Sequence, residues 1–242
     1  DIPRKLGPYR IDQRLGTGGM CQIYEATTFG ASGFSKSVAL KVLRPEFRQD
    51  ADFQRQFIRE ARIGARLDHA NLVSIDDFGV ADGVHYLRME LVSGTDLRAL
   101  EQTDALGPEL AVYVAAELAW ALDYLHGRTE DGRPLDLVHR DVSPSNVLIS
   151  DSGEVKLADF GILKAAANLD LTRGNVRKGK YAYMSPEQAA GRPLTHASDQ
   201  FALGILLAEM VTGRHPFEAD DVRSMLERIE DASDPDLDGV GE

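Results

Sequence analysis

The chain has a single cysteine, Cys21, so it cannot close an internal disulfide and nothing in it asks for an oxidising compartment. It also lacks a Cys/His cluster at metal-ligand spacing. Its longest apolar runs, such as residues 201–210, fall far short of the roughly 20 residues a membrane-spanning helix needs. No charged segment followed by an apolar core opens the chain, so no secretory signal is visible. Internal repeats and low-complexity tracts are absent too. Basic residues are in deficit: 27 Lys and Arg against 39 Asp and Glu give a net charge of −12 over 242 residues. That balance argues against nucleic acid or an anionic membrane as the main partner, and it suits either simple solubility or substrates with basic patches. The first residue is Asp1 rather than Met, which reads as a segment of something larger. The expected setting is cytoplasmic, or the cytosolic part of a membrane-anchored protein.

What is present divides in two. Residues 9–15, 22–28 and 38–43 combine β-branched and apolar side chains between Gly/Ser-rich turns and read as strands. Residues 29–37 read as a loosened hairpin connection. Residues 52–67 place Phe53, Phe57, Ala61 and Gly64/Ala65 at helical spacing on a charged background, the pattern of an amphipathic helix. Two more strands are expected over 72–78 and 84–91, joined by Ala81-Asp82-Gly83. Beyond Ser93-Gly94 the texture turns helical. Residues 108–126 are rich in Ala and Leu and open with Pro108, residues 196–212 are strongly apolar, and residues 219–229 have the mixed pattern of a surface helix. A small strand-rich lobe thus precedes a helical one, with a hinge near residues 90–93. A cleft between such lobes is a natural place for a ligand.

Four stretches carry chemistry. In Leu15-Gly16-Thr17-Gly18-Gly19-Met20-Cys21-Gln22-Ile23-Tyr24, glycines between two strands let the backbone approach phosphates and offer N–H groups to them. Taken alone, the same stretch is an ordinary tight turn. No Gly-Lys-Ser/Thr follows, so it is not a Walker loop. Val38-Ala39-Leu40-Lys41 sets a lysine within an apolar strand. A buried ammonium needs an anion, either Glu60 on the following helix or nucleotide phosphates; a lysine that simply ends a strand is the plainer alternative. In Leu137-Val138-His139-Arg140-Asp141-Val142-Ser143-Pro144-Ser145-Asn146-Val147-Leu148-Ile149, a carboxylate and an amide share one loop between apolar strands. The first can take or orient a hydroxyl proton, and the second can help hold a metal ion. In Lys156-Leu157-Ala158-Asp159-Phe160-Gly161, Asp159 emerges at a strand end as a second metal ligand.

These motifs, with Glu60 and Ser185-Pro186-Glu187, stand in the order and approximate spacing of the eukaryotic-type (Hanks-type) protein kinase family, which the chain resembles over nearly its whole length. Ser198-Asp199-Gln200-Phe201-Ala202-Leu203-Gly204 resembles the buried helix that follows in that family. The Gly-Gly-Met variant of the glycine loop, the Pro-Glu-Gln ending and Met89-Glu90-Leu91-Val92 look most like bacterial Ser/Thr kinases. The resemblance implies an α+β, bilobal fold: a small antiparallel sheet lobe with one helix over residues 1–92, a larger mainly helical lobe over 93–242, and a nucleotide cleft between them. It implies ATP and Mg²⁺, with Mn²⁺ as an admissible substitute, acting on protein substrates. A second copy of the chain is the expected partner for autophosphorylation, with no nucleic acid and no direct membrane contact for this segment.

By the same resemblance Gly16, Thr17, Gly18 and Gly19 cover the phosphates, and Ile23, Ala39 and Leu148 line the nucleotide. Lys41 contacts the α/β-phosphates and pairs with Glu60. Met89 is the gatekeeper, and backbone groups of Glu90 and Val92 hold the adenine. Asp141 orients the substrate hydroxyl and accepts its proton, while Asn146 and Asp159 hold Mg²⁺. Asp199 is expected to bond the backbone near His139-Arg140. Glu187 pairs in the family with an arginine near the end of the domain, and none is found here. The family normally continues with two or more helices past residue 242, so a domain cut short at its end is the expectation; if those helices are truly missing, Glu187 is unpaired.

Some positions depart from the family pattern. Cys21 stands where a third glycine is usual, either as a tolerated small side chain or as a redox-sensitive thiol near the phosphates. Ser143 stands where Ser/Thr kinases usually carry a lysine, and Lys180 where they usually carry a threonine. The exchange reads as a reciprocal swap in which Lys180 supplies the positive charge. Two independent losses, in a weak kinase or a nucleotide-binding pseudokinase that serves as a scaffold, are the alternative. Between Asp159 and Glu187 the Ser/Thr residues are Thr172 and Ser185, and Ser185 belongs to the segment-ending motif. Thr172 is therefore the expected switch site, its phosphate docking on Arg140 and on Arg173 or Arg177; a plain loop threonine is the alternative. Residues 127–136 read as an inert surface loop.

Overall fold

The computed structural model describes residues 4–101, 106–160, 181–232 and 235–237. Two compact units divide the described chain. The first takes in the chain up to Asp68 together with Val73–Val92, and the second takes in His69–Leu72 and the chain from Ser93 onward.

The first unit is an antiparallel sheet of β1 (Lys5–Leu6), β2 (Tyr9–Thr17), β3 (Cys21–Phe29), β4 (Ser35–Leu43), β5 (Ile75–Ala81) and β6 (Val84–Met89), in the order β1-β2-β3-β4-β6-β5, with helix α1 (Ala51–Gly64). Val38, Leu40 and Val42 of β4 join Tyr9, Ile11, Tyr24 and Tyr86 in one apolar cluster. Ala39, Lys41 and Leu43 alternate with them and are buried on the opposite face. A strand covered on both sides reads as a near-continuous apolar run, and residues 38–43 read so apart from Lys41.

Residues 29–37 are not a loosened connection. β3 and β4 stay in register out to Phe29 and Ser35, and the Gly30 N–H closes the hairpin on the Phe34 carbonyl at 2.8 Å. Asp82 and Gly83, at φ 51° and 75°, form the β5–β6 turn with the paired left-handed residues that a two-residue hairpin favours. Gly79 of β5 lies opposite Tyr86 of β6, and a Cβ there would stand 2.3 Å from Cζ of the Tyr86 ring. Helix α1 opens on the Asp50 carboxylate, which accepts the N–H groups of Asp52 and Phe53 at 2.8 and 3.3 Å. Phe57, Glu60, Ala61 and Gly64 form its buried stripe, and the helix ends at Gly64, short of residue 67.

Strand β5 begins at Ile75, later than the sequence pattern implied. The apolar residue Leu72 belongs instead to the second unit, because the neighbouring Asn71 is anchored there. The buried Asn71 amide donates to Glu117 Oε2 at 2.5 Å and to the Val155 carbonyl at 2.9 Å, while the Leu157 N–H donates to the Asn71 carbonyl at 2.8 Å.

In the second unit β7 (Gly94–Asp96) leads into α2 (Leu97–Glu101), and α3 (Pro108–His126) follows. Residues 127–136 are a small hairpin rather than a loop, with β8 (Thr129–Glu130) and β9 (Arg133–Pro134) paired across Asp131 and Gly132, both at positive φ. β10 (Val147–Ser150) pairs with β7 on one side and with β11 (Val155–Leu157) on the other. Then come α4 (Pro186–Ala189), α5 (His196–Thr212) and α6 (Val222–Asp231). Helices α3 and α5 pack together and take the bounds expected of them. Helix α6 starts later than residue 219 because Asp221 caps it, accepting from Arg223 and Ser224. Met225 and Ile229 of α6 pack with Ile205, Phe217 and Tyr181 in a second apolar cluster. Among the described residues no helix is long and apolar enough to cross a membrane.

Candidate active site

In the first unit the strand register gathers the site residues. Ile23 of β3 lies opposite Lys41 of β4, and Ala39 lies opposite Met89 of β6. Opposed residues share a face of the sheet, as do residues two apart on one strand, so Ile23, Ala39, Lys41 and Met89 share one face. Glu60 of α1 reaches Lys41 there: Nζ to Oε1 is 2.6 Å, with side-chain exposures of 5% and 2%. An ammonium buried this deeply is tolerated because the carboxylate compensates it, and the pair in turn fixes where the lysine points.

The turn between β2 and β3 is closed by the Gly18 N–H on the Cys21 carbonyl at 2.8 Å, and Arg44 Nη1 donates to the Gly19 carbonyl at 3.2 Å. Thr17 ends β2 opposite Gln22, and Gly16 pairs with Ile23. Among the described residues no atom lies within 4 Å of where a Cβ would stand on Gly16 or Gly19, so the backbone there is open to a close approach by phosphate. Cys21 is buried in β3 opposite Leu43. A thiol placed so lacks the access a redox sensor needs, and the small-side-chain reading stands. After β6, Glu90 clasps Ser74 twice: its N–H donates to the Ser74 carbonyl at 3.1 Å, and its carboxylate accepts the Ser74 N–H at 2.9 Å. Val92 closes the unit.

In the second unit the loop 139–146 is held from α5. The buried Asp199 carboxylate accepts the N–H groups of His139 at 2.7 Å and Arg140 at 2.8 Å, and its Oδ2 also meets His126 Nε2 at 2.8 Å. Burial pushes this carboxyl up, but the His126 bond, the His139 charge and the two backbone donors outweigh it and hold it below the usual carboxylate value. Arg140 adopts φ 71°, a left-handed conformation uncommon outside glycine, directly before Asp141.

The Asn146 side-chain nitrogen donates to the Asp141 carbonyl at 2.8 Å, which leaves the amide oxygen as its group for a cation. The Ala158 N–H donates to the Asn146 carbonyl at 2.8 Å, so the residue before Asp159 is tied to the same loop. Asp159 itself takes φ 57°. Leu148 sits in β10 between Lys156 and Asp96. Carboxylate and amide oxygens are hard donors that fit Mg²⁺, which keeps waters and substrate phosphates in its shell. Among the described residues no group of three or more His, Cys, Asp or Glu side chains gathers in one place. Ser143 is buried, its hydroxyl 3.4 Å from that of Ser145.

The Glu187 carboxylate accepts the Ser198 hydroxyl. Burial raises its pKa, yet the bonds from Ser198, its own backbone and Ser185, with the Arg192 charge, bring it below the ordinary value. The position of Ser198 one turn into α5 supplies this bond without a distant arginine. Two further contributors, His126 and Gln188, had given no sign of their roles in the sequence. Each meets a partner far along the chain, Asp199 for His126 and the Arg140 carbonyl for Gln188. Lys180 and Thr172, with Arg173 and Arg177, lie outside the described residues.

Comparison with known proteins agrees with this geometry. The protein kinase domain family matches residues 9–235. The tyrosine-protein kinase MasK of Myxococcus xanthus (strain DK1622) is 40% identical over 229 residues, covering 92% of this chain and 35% of the relative. The serine/threonine-protein kinase PrkC of Bacillus subtilis (strain 168) is 37% identical over 223 residues, covering 92% of this chain and 33% of the relative. The chain thus spans about a third of the length of these curated relatives. The crystal structure of the Mycobacterium tuberculosis PknI kinase domain superposes with a TM-score of 0.67 at 27% identity, covering 93% of this chain and 85% of that one. The antiparallel sheet with its helix and the helical second unit are the α+β architecture of such kinases. From residue 9 to residue 235, in sequence and in fold, the chain belongs to the protein kinase domain family.

Proposed function

We propose that this chain transfers the γ-phosphoryl group of Mg-ATP to serine and threonine hydroxyls of proteins. The observation that carries the reading is the loop 139–146, where Asp141 projects from backbone held by Asp199 on one side and by Asn146 on the other. A carboxylate presented from so fixed a frame suits proton acceptance from a positioned hydroxyl. In this reading Gly16, Thr17, Gly18 and Gly19 cover the phosphates and Lys41, aimed by Glu60, contacts them. Ile23, Ala39, Met89 and Leu148, with the backbone of Glu90 and Val92, hold the nucleotide. Asn146 and Asp159 hold Mg²⁺ or Mn²⁺, whose charge neutralises phosphate oxygens. The acceptor oxygen bonds to the γ-phosphorus, the bond from phosphorus to the β–γ bridging oxygen breaks with its electron pair leaving on ADP, and the hydroxyl proton passes to Asp141.

Lys180 is proposed to replace the lysine that Ser143 displaces. Phosphotransfer by Ser143→Lys, Lys180→Thr and the double variant tests this. The double variant should exceed the worse single one, and a double variant no better than that removes the swap. Phosphorylation of Thr172 is the proposed control, reached by autophosphorylation between two copies, in a cytoplasmic or cytosolic setting.

A second reading, transfer to tyrosine, draws on Ser143 standing in place of the lysine and on the 40% identity to a tyrosine-protein kinase. Labelled ATP with Mg²⁺ and a generic protein substrate, with Asp141→Asn as control, separates the readings. Phosphoserine or phosphothreonine made by the parent and lost in Asp141→Asn supports the proposal, and phosphotyrosine selects the second reading. ATP binding with no turnover selects a pseudokinase scaffold. Peptide mass spectrometry of the same sample should find Thr172 modified.

A further inference from the structure

Arg140 is held at φ 71° immediately before Asp141, a left-handed conformation that is strained for a residue with a Cβ. Something must keep its peptide units in place. On its amino side the answer is Asp199, which accepts the Arg140 N–H at 2.8 Å. On its carboxyl side it is Gln188 of α4, whose Nε2 donates to the Arg140 carbonyl at 3.0 Å. That carbonyl belongs to the peptide group whose N–H is that of Asp141, so a bond to it restrains rotation about the backbone that carries the Asp141 side chain.

The Gln188 amide is itself fixed. Its Oε1 accepts the Ser185 N–H at 2.9 Å, and the Gln188 backbone N–H donates to the Ser185 hydroxyl at 3.3 Å, with Ser185 fully buried. This reciprocal pair is a capping box, and it holds the glutamine amide with only one end left to reach the loop. The side chain has to be an amide, because one end must accept from Ser185 and the other must donate to Arg140.

We infer that Gln188 is a positioning residue for Asp141, tying the start of α4 to the strained peptide before the catalytic carboxylate. The inference rests on the kinase reading only for its effect on turnover; the tie itself stands apart from activity. The chemistry also separates the tie from the cap. Glutamate serves a capping box as well as glutamine does, so Gln188→Glu keeps the bond from Ser185 and sets a second acceptor against the Arg140 carbonyl. Gln188→Met, uncharged and of similar length, loses both bonds and controls for the added charge.

Hydrogen exchange of the Arg140 and Asp141 amides, read by NMR, should speed up about 10-fold or more in both variants if the tie is worth a typical buried hydrogen bond. Melting temperature should fall in both variants, and further in Gln188→Met, which loses the bond from Ser185 as well as the tie. Turnover should fall about 10-fold or more in both variants at unchanged KM for ATP, as misplacement of the base requires. Parent-like exchange in both variants overturns the tie. Faster exchange with parent-like turnover overturns the positioning role. If the parent transfers no phosphate, the kinase reading fails by itself, and the exchange rates still decide whether Gln188 holds the peptide.

Discussion

Lys41 and Glu60 form a buried ion pair whose members depend on each other unequally. Removing the lysine leaves a buried carboxylate without its counter-ion, so Lys41→Met should lower unfolding free energy by about 3–5 kcal/mol. Adding Glu60→Gln to Lys41→Met should recover part of that loss, because a neutral amide asks for no counter-charge. Denaturant titration of the two single variants and the double variant checks this, and strictly additive losses would count against the coupling. The sequence could say that Lys41 needs an anion, since an ammonium in an apolar strand is legible by itself. It could not choose between a helix carboxylate and a nucleotide phosphate, because the pair is 19 positions apart and only the packing of α1 brings it together. The same limit hid His126, 73 positions from Asp199. The bond from Ser198 to Glu187 is hidden for a related reason, since the entry of α5 sets it and no local pattern announces it.

At the scale of elements, strands β5 and β6 meet where a glycine makes room for an aromatic ring. Gly79→Ala should destabilise the first unit by about 1–3 kcal/mol, because the new Cβ falls 2.3 Å from Tyr86 Cζ and a buried ring has little room to retreat. Tyr86→Leu in the Gly79→Ala background should regain some of that stability, and thermal melts of the pair settle whether the clash is the cause. Helices α3 and α5 were legible to their ends because Pro108 and Gly213 punctuate them, the latter at φ 70°. Residues 127–136 misled by composition. Their Gly, Pro and charged residues suit a loop, but Asp131-Gly132 is also the sequence of a tight hairpin turn, and the turn prevailed. Leu72 is apolar and extends the strand pattern of β5 towards the amino end; the burial of Leu72 against β11, and not in the first sheet, follows from Asn71, whose amide bonds no local pattern announces.

At the scale of the molecule, Glu101 carries a pH dependence. Burial first, and then the negative charge of Glu209 on α5, push its carboxyl up to about 7, with Asp96 adding to the shift and Arg98 opposing it. The folded chain therefore holds a proton that the unfolded chain, with a value near 4.5, releases. The contribution to stability is full below 4.5 and is lost as pH rises to about 7, after which it stays lost. Glu101→Gln should leave stability near pH 4.5 little changed and raise it at about pH 8, as urea titrations at the two values would report. An equal effect at both pH values would contradict the assignment. Asn71 governs something on a different axis, that of time. The segment His69–Leu72 precedes the end of the first unit in the chain, yet its partners Glu117 and Val155 follow it. During synthesis the first sheet is complete once β6 has emerged, while the stretch between α1 and β5 must wait for α3 and β11. No single cut separates the two units, and a ribosome that has released only the first has released a sheet with an unanchored seam.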